Sequence, residues 1–258
     1  PRQLMLLAAL DLPAPRYGHA ALLVGDDGAP LSKRHGSASV GDLRSAGFLP
    51  AAVINHLARL GVTFERHDLM SATDLAAAFD TSRLGRSPAR HDPAQLRHWQ
   101  QEAVAALDAQ AFSAWLLGAL PAQARARIPE DRREAFAALL RDNVVMPADA
   151  APWTRRLFDR PVTFSDAARA AVCGAGPGFF DVALASLDDC EAGSGFKGFS
   201  KRVQGATGAR GKALFLPLRA ALSGEVTGPE LYRLWDFLGP SGVRERLGAA
   251  STLAAAGT

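Results

Sequence analysis

Apolar residues in this chain recur mostly at the three-to-four-residue spacing of amphipathic helices. In Pro50 to Leu60 a proline suits the first turn, Val53, Ile54, Leu57 and Leu60 share one face, and Gly61 is placed to end the helix. Ser71 with Asp74 three residues on resembles a capping box opening a short helix to Phe79, and Asp92-Pro93 is a cap and first-turn pair for a helix carrying Leu96 and Trp99. The same period predicts helices over 110–120, 131–141, 165–172, 178–187, 197–206, 212–222 and 229–238, with Gly208, Gly211, Gly224 and Gly239 as breaks. Only the first forty residues differ. A short apolar helix near Arg2 to Leu10, expected to be a core helix, is followed by a proline-rich stretch, the strand-like run Ala20 to Val24 and a turn at Gly25-Asp26-Asp27-Gly28. The irregular, proline-containing segment from Met146 to Pro161 is the expected boundary between helical subdomains.

Composition agrees with a mostly α fold: 48% of the 258 residues are hydrophobic, only 7% are aromatic, and alanine is abundant. Cys173 and Cys190 form neither a disulfide framework nor a zinc pattern, and the six histidines lack metal-ligand spacing, so no metal site is expected and a reduced, cytoplasmic setting fits. The net charge of +3 is uninformative until it is mapped along the chain. Residues 192–224 contain no Asp or Glu but include Lys197, Lys201, Arg202, Arg210, Lys212 and Arg219, a local +6 that leaves −3 for everything else. Three of the four lysines fall there. Such a strip is either a solvated helix face or a polyanion-binding surface, most simply for nucleic-acid phosphates. Phe199, Phe215 and Arg219 are the candidates near it for stacking on unpaired bases, the two phenylalanines being equally suited to the core.

Catalytic motifs are scarce: there is no HExxH, GxSxG, Walker loop or GxGxxG. One stretch, Leu31-Ser32-Lys33-Arg34-His35-Gly36, combines cations with glycine in a turn and could close over a triphosphate, although by residue type alone it is also an ordinary exposed basic loop.

That stretch resembles the second signature loop of class I aminoacyl-tRNA synthetases, in the Leu-Ser-Lys-Arg form typical of glutamate–tRNA ligases. Further stretches resemble the same family in the same order: Pro1-Arg2-Gln3-Leu4, Pro15-Arg16-Tyr17-Gly18-His19, Phe48 to Gly61, Phe79 to Asp92 and Gly211 to Gly224. The resemblance implies a helical stem-contact region and an anticodon-binding bundle or cage, with a small α/β remnant of a Rossmann-like catalytic domain at the N-terminus. The implied domains are 1–40, 41–146 and 147–258. It implies ATP as substrate with Mg²⁺ beside it, glutamate and tRNA as partners, and no membrane. Ser32, Lys33 and Arg34 are the implied ATP contacts, while Lys197, Lys201, Arg202, Arg210, Lys212, Arg219 and Arg90 are the candidate tRNA contacts. Pro30 stands where the family usually has its first basic residue, which removes one phosphate contact. The family's HIGH-type motif is expected upstream of Pro1, so this segment alone is expected to bind tRNA better than it charges it. A non-catalytic tRNA-binding module and a helical protein-interaction scaffold are the competing expectations.

Overall fold

The computed structural model describes residues 1–25, 28–31, 39–188 and 195–256. Packing divides the chain into two units, Pro1–Val40 with Leu49–Ala103, and Gly41–Phe48 with Val104–Thr258. The main division therefore falls between Ala103 and Val104, away from the 146/147 position marked by prolines.

In the first unit, α1 (Arg2–Ala9) forms as expected but has no buried residue. Leu4, Met5, Leu6 and Leu10 are all exposed, so the expectation of a core helix is corrected. The reason is a missing layer: the only sheet among the described residues is the two-stranded pair β1 (Leu23–Val24) and β2 (Ala89–Arg90), too small to cover an apolar helix. The strand expected over 20–24 shrinks to those two residues. Next along the chain comes α2 (Val40–Ala46), which apart from Val40 belongs to the second unit, and the first unit continues with α3 (Pro50–Ala58), α4 (Ala72–Ala78) and α5 (Pro93–Ala105).

Helix α3 carries the polar framework of this unit. Asn55 is fully buried, and its side-chain amide imitates a strand partner, donating to the Met70 carbonyl at 2.7 Å and accepting from the Met70 N–H at 3.0 Å. One turn on, the Arg59 guanidinium donates to Asn55 Oδ1 at 2.7 Å and to the Asp68 carbonyl at 2.9 Å, and lies 4.1 Å from the Trp99 ring centroid. Burial draws the Arg59 guanidinium below its ordinary pKa, opposed by Asp68. Val62, Phe64, Met70 and Leu75 make one apolar cluster beside this frame, and Ala52, Trp99 and Ala103 another. The Ser71 cap forms, its hydroxyl accepting from the Asp74 N–H at 3.1 Å, and Asp92 accepts from the Ala94 N–H at 2.8 Å.

Besides α2, the second unit contains the helices α6 (Ala109–Ala119), α7 (Ala122–Ala126), α8 (Arg133–Leu140), α9 (Pro147–Phe158), α10 (Asp166–Ala175), α11 (Pro177–Asp188), α12 (Gly195–Thr207), α13 (Lys212–Ser223) and α14 (Leu231–Ala256), and among its described residues there is no strand. Helix α14 turns at Gly239, where φ is 66°, the break expected there. It packs on α10, α11, α12 and α13. The supposed boundary segment is instead α9, with Trp153 and Leu157 buried. Pro147 occupies the first turn, where a missing N–H costs nothing, and the Asp149 carboxylate accepts from the N–H groups of Val145 and Met146 at 3.1 and 2.9 Å.

Arginines hold this unit together by donating to carbonyls. Arg246 is fully buried and donates to the Leu222 carbonyl, at 2.9 Å, and to the Arg156 carbonyl, in the last turns of α13 and α9. Burial lowers its pKa to about 10, with Arg160 adding to the effect and Glu245 opposing it, so it stays charged at neutral pH. Arg219 donates to the carbonyls of Gly228 and Pro229 at 3.2 and 2.6 Å, pinning the connection from α13 to α14. Gly224 closes α13 at φ 74°, and a Cβ there would lie 2.3 Å from the Thr163 carbonyl oxygen.

Two predictions follow from these contacts. His56 is buried, with Nε2 2.9 Å from His91 Nδ1 and no partner for its own Nδ1. Burial, and then the facing His91, push its pKa from 6.5 down to about 4, against a smaller opposing effect of Asp92. The unfolded chain therefore takes up this proton first. The stability due to a neutral His56 is fully present above about pH 6.5 and is lost, by about 3 kcal/mol in all, as pH falls to about 4. Urea unfolding from pH 7 to 4.5 should show that slope, and His56→Gln should flatten it. Arg219→Ala should lower unfolding free energy by about 1–3 kcal/mol in urea by leaving two carbonyls without their donor, whereas Lys201→Ala should stay within about 0.5 kcal/mol.

Candidate nucleic-acid interface

Two surfaces carry the residues singled out by sequence, one in each unit. In the first, β1 and β2 run parallel, with Leu23 opposite Ala89 and Val24 opposite Arg90. Val24 also bridges Pro30 in antiparallel sense, Leu31 N–H donates to the Leu23 carbonyl at 3.1 Å, and Gly25 N–H donates to the Ala29 carbonyl at 2.9 Å. The backbone leading into the Ser-Lys-Arg stretch is thus tied to the sheet. Ser32, Lys33 and Arg34 themselves lie outside the described residues, as do Asp26 and Asp27 of the preceding turn. Arg90 is exposed on β2, in register with the strand that anchors Pro30 and Leu31. The fold therefore brings Arg90 to the sheet that holds the basic loop's entry, a relationship invisible in a separation of almost sixty positions.

In the second unit, Lys197, Lys201 and Arg202 lie on α12, Arg210 in the short connection after it, and Lys212 at the start of α13; all five are exposed. Phe199, Ser200 and Val203 bury the opposite side of α12, which turns Lys197 and Lys201, one helical turn apart, to solvent together. Among the described residues none of these five cations makes an ion pair. Arginines elsewhere in the unit do: Arg127 with Asp159 at 3.2 Å, Arg233 with Asp142 at 2.6 Å, Arg156 with Glu225 and Arg244 with Asp188. The acid-free run in sequence therefore becomes a run of exposed cations without an ion pair among the described residues.

Arg219 departs from the rest. A role in stacking on bases or contacting tRNA asks for an exposed guanidinium, but Arg219 is half-buried, and burial draws its pKa down, opposed by Glu230. The physical reason is its position on α13 beside the loop it pins, where both carbonyls point at it. Phe199, likewise considered for base stacking, is fully buried and belongs to the core, whereas Phe215 is 41% exposed.

Sequence reasoning did not single out Arg246, Arg132 or Arg141, each of which donates to a backbone carbonyl, of Leu222, Phe237 and Leu107 respectively. No local pattern marks such an arginine, because its acceptors lie 24, 105 and 34 positions away. Among the described residues no group of three or more His, Cys, Asp or Glu side chains is placed to hold a metal ion, and Cys173 is a free thiol. No single described helix is long and apolar enough to cross a membrane; α10 and α11 reach that length only as a pair bent by 84°, and both pack against α14.

Comparison with known proteins agrees with this division. Residues 1–98 match the family described as tRNA synthetases class I (E and Q), catalytic domain, and residues 108–251 match the anticodon binding domain. The two matches meet near the structural division at Ala103 and Val104. Glutamate–tRNA ligase 2 of Nitrosococcus oceani is 49% identical over 247 residues, covering 96% of this chain and 51% of the relative. Glutamate–tRNA ligase 1 of Halorhodospira halophila is 45% identical over 256 residues, covering 99% of this chain and 52% of the relative. The chain spans about half the length of the curated relatives it matches. In fold it is similar to the crystal structure of a glutamate tRNA ligase from Elizabethkingia meningosepticum in complex with its amino acid, with a TM-score of 0.78 at 18% identity over 97% of this chain and 54% of that one. An anticodon binding domain spans more than half of the chain, with the class I (E and Q) tRNA synthetase catalytic-domain family matched ahead of it, and the chain belongs to that anticodon-binding-domain family.

Proposed function

We propose that this chain is the tRNA-holding part, with the ATP-contacting loop, of an enzyme that attaches glutamate to tRNA at the expense of ATP. The observation that carries the reading is the group of five exposed cations from Lys197 to Lys212, without an ion pair among the described residues, set on the unit that matches the anticodon binding domain. Phosphates of an RNA backbone are the polyanion this surface suits, and releasing their counterions is the source of affinity. Phosphate contacts set register, while identity is read from unpaired bases. Arg219 contributes by holding the Gly228 and Pro229 carbonyls at the connection from α13 to α14. Arg90, on the sheet that anchors the entry to the loop, is the tRNA contact proposed for the first unit.

The loop Ser32-Lys33-Arg34 is proposed to grip the ATP phosphates, its cations stabilising charge on the departing pyrophosphate. Pro30 begins that loop with one cation fewer, and its bridge to Val24 gives the grip a fixed base instead. Mg²⁺ is proposed to accompany ATP on its triphosphate. Alignment of ATP and glutamate for attack can account for about 7–11 kcal/mol of a barrier, and it is assigned here to the half of the relatives' length that this chain does not span.

Two measurements test the reading. Affinity for glutamate tRNA should fall with salt, log K against log salt having a slope of about −2 to −4 if three to five of the cations meet phosphates, at about 0.7 per single-strand phosphate. A salt-independent affinity, or no preference for tRNA over bulk RNA, would leave the scaffold reading in its place. Glutamate-dependent ATP–pyrophosphate exchange should be absent with the chain alone and present when the remaining half is supplied. Exchange by the chain alone would overturn the division of labour.

A further inference from the structure

His91 stands where three parts of the first unit meet. Its backbone N–H donates to the Val24 carbonyl at 2.9 Å, and the Ala89 N–H donates to the Leu22 carbonyl at the same distance, so this segment holds one edge of β1. The other edge of β1 holds the entry to the basic loop, through the Leu31 N–H on the Leu23 carbonyl at 3.1 Å and the bridge from Val24 to Pro30. The His91 ring reaches a third element: Nδ1 lies 2.9 Å from Nε2 of His56 on α3, the two rings meeting edge to face at 75°. Helix α3 is itself fixed at the preceding residue, where the Asn55 amide engages both polar groups of the Met70 backbone. A series of hydrogen bonds therefore runs from α3 through His56, His91 and β1 to Pro30 and Leu31.

Packing alone does not account for an imidazole at position 56. The side chain is buried, its Nδ1 has no partner, and burial and then His91 lower its pKa to about 4, with Asp92 opposing. An apolar ring would fill the space without that cost. What the imidazole adds is a directional bond, and the bond it makes is to His91. Such a bond needs an N–H on one ring and a bare nitrogen on the other, so it survives one positive charge on the pair and not two.

We propose that His91 is a positioning residue which, locked to His56, fixes β1 and with it the entry at Pro30 and Leu31 to the loop assigned above to ATP. This rests on that assignment for its function and not for its geometry. The ionisable groups acting on His56 are His91 and Asp92, both from the connection between β2 and α5; Arg59, further along α3, is engaged with Asn55 and Asp68.

The test is amide hydrogen exchange on the full chain, read residue by residue, with the rate at Leu31 divided by that at Met70, whose N–H is held by Asn55 and reports opening of the unit around α3. At pH 7 His91→Phe, which keeps a ring and removes the bond, should raise that ratio by about 5-fold, the size expected for one hydrogen bond. His91→Asn, whose amide puts a polar atom near the place of Nδ1, should bring it back. Between pH 7 and 4.5 the wild-type ratio should rise by about 10-fold, because a released His56 regains its ordinary affinity for a proton. His56→Gln keeps a polar atom near the place of Nε2 without titrating, and should hold the ratio constant. In glutamate-dependent ATP–pyrophosphate exchange with the remaining half supplied, His91→Phe should raise KM for ATP and His91→Asn should restore it. The proposal is overturned if His91→Phe leaves the ratio unchanged, if His91→Asn fails to reverse its effect, or if His56→Gln responds to pH as wild type does. A ratio that behaves as expected while KM for ATP stays unmoved leaves His91 as the holder of the entry and removes ATP from the loop.

Discussion

A guanidinium removed from water at the meeting of two helix ends sets the geometry of the helical unit. The last carbonyls of a helix have no intrahelical donor and carry the negative end of its dipole. Arg246 answers two helices at once, reaching Leu222 in the last turn of α13 and Arg156 in the last turn of α9 from its own place on α14. Burying a cation costs several kcal/mol, and the fall of its pKa to about 10 reflects that cost; the two charge-assisted hydrogen bonds offset it. The gain is therefore less in net stability than in specificity, because only one mutual placement of α9, α13 and α14 satisfies the fork. Around it, Glu225 joins the Arg156 side chain to the Ser165 hydroxyl, the latter at 2.9 Å, so the cap of α10 is tied to the same junction.

The same chemistry recurs through the chain and explains how its cations are divided. Arg59, Arg132, Arg141, Arg219 and Arg246 all donate to backbone carbonyls, a task suited to a planar fork with several fixed donors. Lysine, a compact and strongly hydrated charge, is poorly suited to it. Of the four lysines, Lys197, Lys201 and Lys212 remain on the surface of α12 and α13. A net charge of +3 thus conceals two populations: arginines turned toward the protein's own carbonyls and carboxylates, and a small set of cations left open to an external polyanion. The first population joins α9, α13 and α14 through their carbonyls, and the second remains on the surface of α12 and α13.

The first unit depends on a different device. Its apolar clusters are small, and a buried amide, Asn55, joins α3 to Met70 as a strand neighbour would. The two-residue sheet beside it buries little, but its hydrogen bonds fix the approach to the basic loop and bring in Arg90. The approach at Pro30 and Leu31 is thus held by backbone hydrogen bonding more than by packing.

Periodicity and end chemistry were enough to read most of the helices from sequence. Ser71, Asp92 and Ser165 mark helix starts because a short oxygen-bearing side chain can satisfy an orphan N–H within three residues, a local matter. The acid-free interval at 192–224 was legible for the same reason, since absence of carboxylates is a property of the chain itself. Proline content misled at Met146–Pro161, where a first-turn proline and the Asp149 carboxylate build α9 instead of interrupting the chain. What tertiary structure alone decided was which side of each charge or ring faces water. Arg219 turned inward to carbonyls nine and ten positions on, Phe199 went into the core while Phe215 stayed out, and α1 kept Leu4 and Leu6 exposed. Local sequence determines which elements form, through the short reach of caps and helical periods. Burial is settled by what the rest of the fold brings alongside, and no window of neighbouring residues contains that information.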